Sequence, residues 1–194
     1  MKQQAILEIF QKARALLNGH FRLTSGLHSQ QYFQCAKVLQ YPEYAERLCG
    51  EIGKHFEGEA VSAVVAPAIG GIVVAHEVAR ALGVRALFSE RESGQMALRR
   101  GFAIENGERI LVVEDVVTTG GSVQEVLELV KSRAGIPVGV GCLVDRSSGN
   151  VDFGGPFFSL IRLNIQAWPA DRCALCQRGV PLVKPGSRSA ASDG

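Results

Sequence analysis

No stretch of this chain is both long and apolar enough to cross a bilayer, because its longest hydrophobic runs are strand-sized. No Lys/Arg-rich tract is present, and 21 basic against 19 acidic residues leave a formal charge of +2, so nothing calls for a nucleic-acid partner. The opening Met1-Lys2-Gln3-Gln4 leads into an amphipathic pattern containing Glu8, without the apolar core of a signal peptide. The five cysteines are scattered and odd in number, which argues against a disulfide framework and for reduced thiols in a cytoplasm. No internal repeat occurs. With 46% hydrophobic and 21% charged residues over 194 positions, the expectation is one α/β domain spanning 1–194 that buries its own core.

The most informative stretch is residues 110–122. Ile110, Leu111, Val112 and Val113 form an uninterrupted apolar run, as a parallel strand covered on both faces requires. Glu114 and Asp115 then place two acids where that strand leaves the core. Val116 and Val117 follow, and Thr118-Thr119-Gly120-Gly121-Ser122 carries little side-chain bulk, so backbone N–H groups can converge on one anion. Val123, Val126, Leu127 and Val130 then repeat at helical spacing, and the positive end of that helix points into the loop. An anion socket beside two carboxylates suits a phosphorylated sugar with Mg²⁺. An ordinary strand–turn–helix with surface acids accounts for less of the pattern. No Gly-Lys-Ser/Thr follows the glycines, so the loop is not a P-loop.

The order strand, Glu-Asp, two apolar residues, Thr-Thr-Gly-Gly-Ser resembles the ribose-phosphate signature of type I phosphoribosyltransferases. The resemblance implies their fold: a central, mostly parallel sheet flanked by helices, a hood over the base site from about residues 1–40 and the C-terminal segment, and a flexible loop.

The remaining segments can be placed around that motif. Ile6, Ile9, Phe10, Ala13, Leu16 and Leu17 have helical spacing, which predicts a helix over about 4–18 stopped by Gly19. Residues 19–37 are polar, aromatic and glycine-punctuated, and read on their own as an edge hairpin or an irregular segment. Their Phe-x-Leu-x-Ser-Gly-x-x-Ser pattern followed by aromatics resembles the base-covering segment of orotate phosphoribosyltransferases. Pro42 suits the first turn of a helix carrying Tyr44, Ala45, Leu48, Cys49 and Ile52 on one side. Residues 61–65 read as a strand, and Ile69, Gly70 and Gly71 as the turn into a helix ending near Leu82. That turn is a tight βα connection or a second anion site. The resemblance implies a pyrophosphate loop there.

Residues 85–88 read as a short strand entering 89–102, a charged segment that is a solvated surface loop or a mobile β-flap. In the resembled family this loop brings basic residues to pyrophosphate. Arg91 matches a basic position, Gly94 and Met96 stand where Lys and His are expected, and Arg99, Arg100 and Lys37 are the replacements on offer. Residues 138–144 read as another buried strand ending at Asp145-Arg146. That pair is either a surface ion pair or, as the resemblance implies, a base-recognising Arg at the ligand end of the sheet. Residues 157–168 are expected to form a final strand. Cys173 and Cys176 make a CxxC, half a zinc site. No second Cys pair or His pair lies near it in sequence, so packed thiols are the expectation. Residues 180–188 are extended and proline-broken, and a tail of about 186–194 is expected to be frayed.

Taken together, the resemblance implies transfer of a phosphoribosyl group from 5-phosphoribosyl 1-pyrophosphate to orotate, in a homodimer with Mg²⁺ as cofactor. Glu114 and Asp115 would hold the ribose and, indirectly, the metal. Residues 118–122 with Val116 and Val117 would line the 5′-phosphate site. Ile69, Gly70, Arg91, Arg99 and Arg100 would serve the pyrophosphate. Thr118, Arg146, Tyr32, Phe33 and Lys37 would face orotate. Two rivals are a phosphoribosyltransferase for a purine or uracil, and a non-catalytic regulatory binder of 5-phosphoribosyl 1-pyrophosphate. Intact Glu114-Asp115 and the absence of a DNA-binding extension argue against the second.

Overall fold

The apolar run at 110–113 does become the centre of a sheet. In the computed structural model, which describes residues 1–23, 26–163 and 165–184, the elements run in chain order α1 Gln3–Lys12, β1 Leu16–Arg22, β2 His28–Phe33, α2 Ala36–Leu39, α3 Pro42–Phe56, β3 Ala63–Pro67, α4 Gly71–Leu82, β4 Arg85–Glu92, β5 Gln95–Leu98, β6 Arg109–Val117, α5 Gly121–Ser132, β7 Ile136–Asp145, β8 Phe157–Arg162, β9 Ala167–Trp168 and α6 Ala174–Gln177. Six strands form the main sheet in the order β5-β4-β3-β6-β7-β8. All its pairings are parallel except the β4–β5 hairpin.

Alternation along β6 explains why both faces are covered. Leu111 and Val113 point into a core shared with α1, α3 and α4. Ile110 and Val112 point the other way, to Val123, Val126, Leu127 and Val130 of α5. Those four side chains are fully buried, and each contributes roughly 1.5–3 kcal/mol of apolar burial. β3 and β6 are adjacent, but β3 continues through α4 to β4 on one side while β6 continues through α5 to β7 on the other. Ligands of open parallel sheets bind in the crevice outside the carboxyl ends of such diverging strands.

The second sheet is small and antiparallel, with order β1-β2-β9. It forms the hood, and here three sequence expectations change. The first helix ends at Lys12, not near Asn18, because Arg14 takes a left-handed turn at φ 50° and Leu16 and Leu17 instead pair with Phe33 and Tyr32. Gly19 therefore lies within β1 rather than capping a helix. The expected final strand divides in two: β8 extends the main sheet beside β7, whereas β9 joins the hood beside β2. Residues 89–92 extend β4 and pair with β5, so the charged segment is a β-hairpin. Thr24 and Ser25 of the base-covering motif, and the expected frayed tail 186–194, lie outside the described residues.

A two-acid crevice under a hood

Glu114 and Asp115 occupy the last turns of β6, and the glycine turn after β3 closes on them. An added Cβ on Gly70 would lie 2.8 Å from Asp115 Oδ2, and one on Gly71 would lie 3.2 Å from Glu114 Oε1. The two segments singled out in the sequence thus form one crevice. Ile69 is 76% exposed at its rim, and the Ala68–Ile69 peptide is cis. The acids are themselves partly satisfied by backbone: Asp115 N–H donates to Glu114 Oε1 at 3.0 Å, and Val116 N–H to Asp115 Oδ1 at 2.8 Å.

Burial dominates the electrostatics of both acids. Burial, followed by the adjacent Asp115 charge, pushes the Glu114 carboxyl well above the usual carboxylate range. Burial also raises Asp115, with its hydrogen bonds opposing. Hydroxyl donors or a hard cation would relieve both groups. The donor set is oxygen only, which fits Mg²⁺.

Beyond the acids, Thr118 and Thr119 are exposed and Gly120 caps α5 at φ 77°. A Cβ on Gly120 would lie 3.0 Å from the Phe153 ring and from Val151, so only glycine fits this turn. No side chain caps α5. Its first-turn N–H groups around Gly121 and Ser122 are thus open to an anion. Val117 is buried beneath the loop and Val116 half-buried.

The other wall of the crevice is built from β2 and the end of β7. Arg146 follows Asp145, but the two do not form the surface ion pair that is the alternative to a ligand-facing Arg146. Asp145 instead accepts from Ser147 and pairs with Arg162 at 3.2 Å, because neighbouring residues on a strand face opposite ways. The Arg146 guanidinium is left half-buried, its Nε enclosed with no partner, and burial lowers its pKa. Tyr32 lies close enough for its hydroxyl to feel both groups: burial raises its pKa first, Asp115 adds to that and Arg146 opposes. Cys35 Sγ stands 3.7 Å from the Asp115 carbonyl oxygen, which brings the hood down onto β6. Phe33 faces away, packed edge-on against Phe10 at 4.8 Å between ring centroids. Lys37 is half-buried on α2, two residues beyond Cys35.

The hairpin cations are all engaged. Arg91 donates to Gly94 O at 2.7 Å and to Glu125 Oε1 on α5 at 2.8 Å. Arg100 grips Glu90 with two bonds and lies 5.7 Å from the Phe88 ring centroid, while Arg99 pairs with Glu92 at 3.5 Å. Sequence spacing missed one grouping altogether. His20 and His28 of the hood meet Cys173 and Cys176, supplying the His pair that sequence proximity could not show. The signal lay in pairing rather than spacing, since β1, β2 and the C-terminal segment become neighbours only on folding.

A crevice at the diverging carboxyl ends of two parallel strands, with an acid pair, a glycine-started helix and a second glycine turn, defines a type I phosphoribosyltransferase. The phosphoribosyl transferase domain model matches residues 42–171. The chain is 56% identical to the orotate phosphoribosyltransferase of Caldanaerobacter subterraneus over 188 residues, covering 97% of this chain and 99% of that one. It is 57% identical to that of Pelotomaculum thermopropionicum over the same shares. The crystal structure of orotate phosphoribosyltransferase from Aeropyrum pernix superimposes with a TM-score of 0.70 at 27% identity, over 81% of this chain and 93% of the other. The chain belongs to the orotate phosphoribosyltransferase family.

Proposed function

We propose that this chain converts orotate and 5-phosphoribosyl 1-pyrophosphate to orotidine 5′-monophosphate and pyrophosphate, with one substrate held at each side of the crevice. The observation that carries the reading is the closure of the Gly70–Gly71 turn onto Asp115 and Glu114, with Cys35 of the hood against the Asp115 carbonyl, on a chain related over nearly its full length to orotate phosphoribosyltransferases.

On the donor side, Thr118, Thr119, Gly121 and Ser122 receive the 5′-phosphate at the start of α5. Glu114 and Asp115 accept hydrogen bonds from the ribose hydroxyls and lie beside the ring as positive charge develops on it. Glu114 and Asp115 would hold Mg²⁺, which would supply charge neutralisation of the departing pyrophosphate. The Ile69–Gly70 turn lies where the leaving group emerges, and Arg91, Arg99 and Arg100 reach it by exchanging their present carboxylate partners, Glu125, Glu92 and Glu90, for pyrophosphate oxygens.

On the acceptor side, the enclosed Arg146 fork presents donors to orotate's carboxylate or imide oxygens. Tyr32 covers the ring, and Lys37 and the Thr118 hydroxyl lie at its edge. Phe33 supports this wall from within the core rather than by touching the base. Orotate's ring nitrogen is acidic enough to attack without a protein base. Positioning and charge stabilisation therefore carry the rate.

A homodimer and a cytoplasmic location belong to the same proposal. Exposed Ile69, in the turn before α4, and Val73, in its first turn, supply apolar surface for a second subunit to cover. None of the five cysteines is in a disulfide, which suits a reducing compartment. Among the described residues, no helix is long and apolar enough to cross a membrane. Pyrophosphate release assayed with orotate, uracil, adenine and hypoxanthine, with and without Mg²⁺, tests the activity. Mg²⁺-dependent release with orotate is expected, and release with a purine alone would overturn it.

A further inference from the structure

His20, His28, Cys173 and Cys176 converge so that one ligand atom from each lies within 4.8 Å of all the others. Individual separations are shorter: His20 Nε2 to His28 Nδ1 3.1 Å, His28 Nδ1 to Cys176 Sγ 3.1 Å, and His20 Nε2 to Cys173 Sγ and Cys176 Sγ 3.5 and 3.6 Å. A tetrahedral ion with ordinary Zn–N and Zn–S bonds sets N···N near ~3.3 Å and N···S near ~3.6 Å. Three of the four separations fall within ~0.2 Å of those values, and the His28–Cys176 edge is shorter, at 3.1 Å.

Hydrogen bonding alone leaves these atoms poorly satisfied. His20 Nδ1 lies 2.7 Å from the Val180 carbonyl oxygen, so it carries the ring proton. Nε2 then has a single lone pair, yet three ligand atoms surround it. His28 Nδ1 faces two of the same atoms and can offer only one hydrogen or one lone pair. A cation at the centre accepts all four lone pairs at once. The Nδ1–H bond to Val180 is also the outer contact that orients a metal-binding imidazole. His20, His28 and Cys173 are buried, and only Cys176 reaches solvent, which gives the ion an entry path. Cys173 leads directly into α6.

We propose that these four side chains bind a structural zinc ion in a closed His₂Cys₂ site. Binding displaces the two thiol protons to solvent and leaves both imidazoles neutral. The ion joins segments 148 residues apart, His28 and Cys176, and so fastens the C-terminal segment to the hood. Val183 already pairs with Phe21 on that seam, with backbone bonds Arg22 N–H to Val183 O and Val183 N–H to His20 O. Tyr32 is four residues further along β2 from His28, ~13 Å by strand rise. The ion therefore positions the strand that covers the acceptor without touching substrate.

The full-length chain, purified from zinc-containing medium and dialysed against metal-free buffer, is expected to retain about one zinc per chain by atomic emission, in line with the affinity of structural sites. Cobalt substituted for zinc should give the intense visible bands of a tetrahedral ion and a near-ultraviolet thiolate charge-transfer band. Cys173→Ser/Cys176→Ser and His28→Ala should each lose the metal. Stripping zinc from the wild-type chain should speed amide exchange in residues 16–33 and 167–183 on the order of tenfold, with α5 unaffected. These wild-type readings stand even if the variants do not fold. Retention below about a tenth of an ion per chain with no cobalt charge-transfer band would overturn the proposal, as would a Cys173–Cys176 disulfide in the metal-free chain.

Discussion

Gly70 faces Asp115 so closely that a methyl group on its Cα would stand 2.8 Å from one carboxylate oxygen and 2.9 Å from the other. No real Cβ tolerates that distance, and Asp115 has few rotamers to retreat into because Val116 N–H holds its Oδ1. Gly70→Ala should therefore act as an indirect lesion of Asp115. We expect kcat/KM for 5-phosphoribosyl 1-pyrophosphate to fall about 10- to 100-fold. The backbone itself accepts alanine, since Gly70 has helical dihedrals, so the thermal midpoint should fall only by the few degrees that about 1–3 kcal/mol of overpacking produces. Steady-state kinetics beside a melting curve check this, and wild-type kinetics would show that Asp115 can move aside freely.

The raised carboxyl of Glu114 makes stability depend on pH in a definite direction. The folded state holds its proton more tightly than the unfolded state does, so its contribution is complete below the unfolded value, about 4.3. It is lost progressively as pH rises through the raised folded value. Glu114→Gln, which cannot ionise, should be no more stable than wild type near pH 4.5 and should gain on it steadily toward pH 8 in Mg²⁺-free buffer. Paired thermal melts across that range, read as the difference between the two proteins, are the measurement. A difference independent of pH would mean that Glu114 is ionised in the folded state as readily as in the unfolded one.

Residues 110–122 were legible in sequence because each property there is local: an apolar run, two acids, a glycine cap and one helical face. α4 and the strand ending before Arg146 were legible for the same reason. The hood was not. Leu16 and Leu17 continue a helical pattern, and only the left-handed turn at Arg14 and pairing with Tyr32 and Phe33 draw them into β1. Tyr32 and Phe33 look alike in sequence, yet strand alternation gives one to the crevice and the other to Phe10. The CxxC looked like half a site because its partners come from a hairpin near the other end of the chain.

Arg146 offers a sharper test of the acceptor side. Its guanidinium is half-buried, its Nε has no partner, and among the described residues no carboxylate pairs with it. A buried donor left open in this way costs folding free energy that a ligand can recover. Arg146→Ala should raise KM for orotate about 10- to 100-fold while leaving that for 5-phosphoribosyl 1-pyrophosphate within about twofold. It should not destabilise the ligand-free chain, because it removes a charge whose burial already lowers its pKa. Equal losses for both substrates, or a lowered thermal midpoint, would assign Arg146 to the scaffold instead.

The cations of the β4–β5 hairpin differ in how easily they can be released. Arg91 is bound to Glu125, and both side chains are 39% exposed, so the pair is worth only about 0–1 kcal/mol. Arg100 holds Glu90 with two bonds and also lies near the Phe88 ring, so freeing it breaks more contacts. Arg91 also reaches from the hairpin to Glu125 of α5, the helix whose first turn is proposed to hold the 5′-phosphate. Arg91→Ala should therefore lower kcat/KM about 10- to 100-fold, and Arg100→Ala by less than about threefold. Glu125→Gln, which frees Arg91 without removing it, should leave turnover unchanged or raise it. Forward kinetics, together with KM for pyrophosphate in the reverse direction, separate these cases. If Glu125→Gln proves as damaging as Arg91→Ala, the Arg91–Glu125 pair is itself the working arrangement, and the charge on the leaving group must be met by Arg99, Arg100 or Lys37.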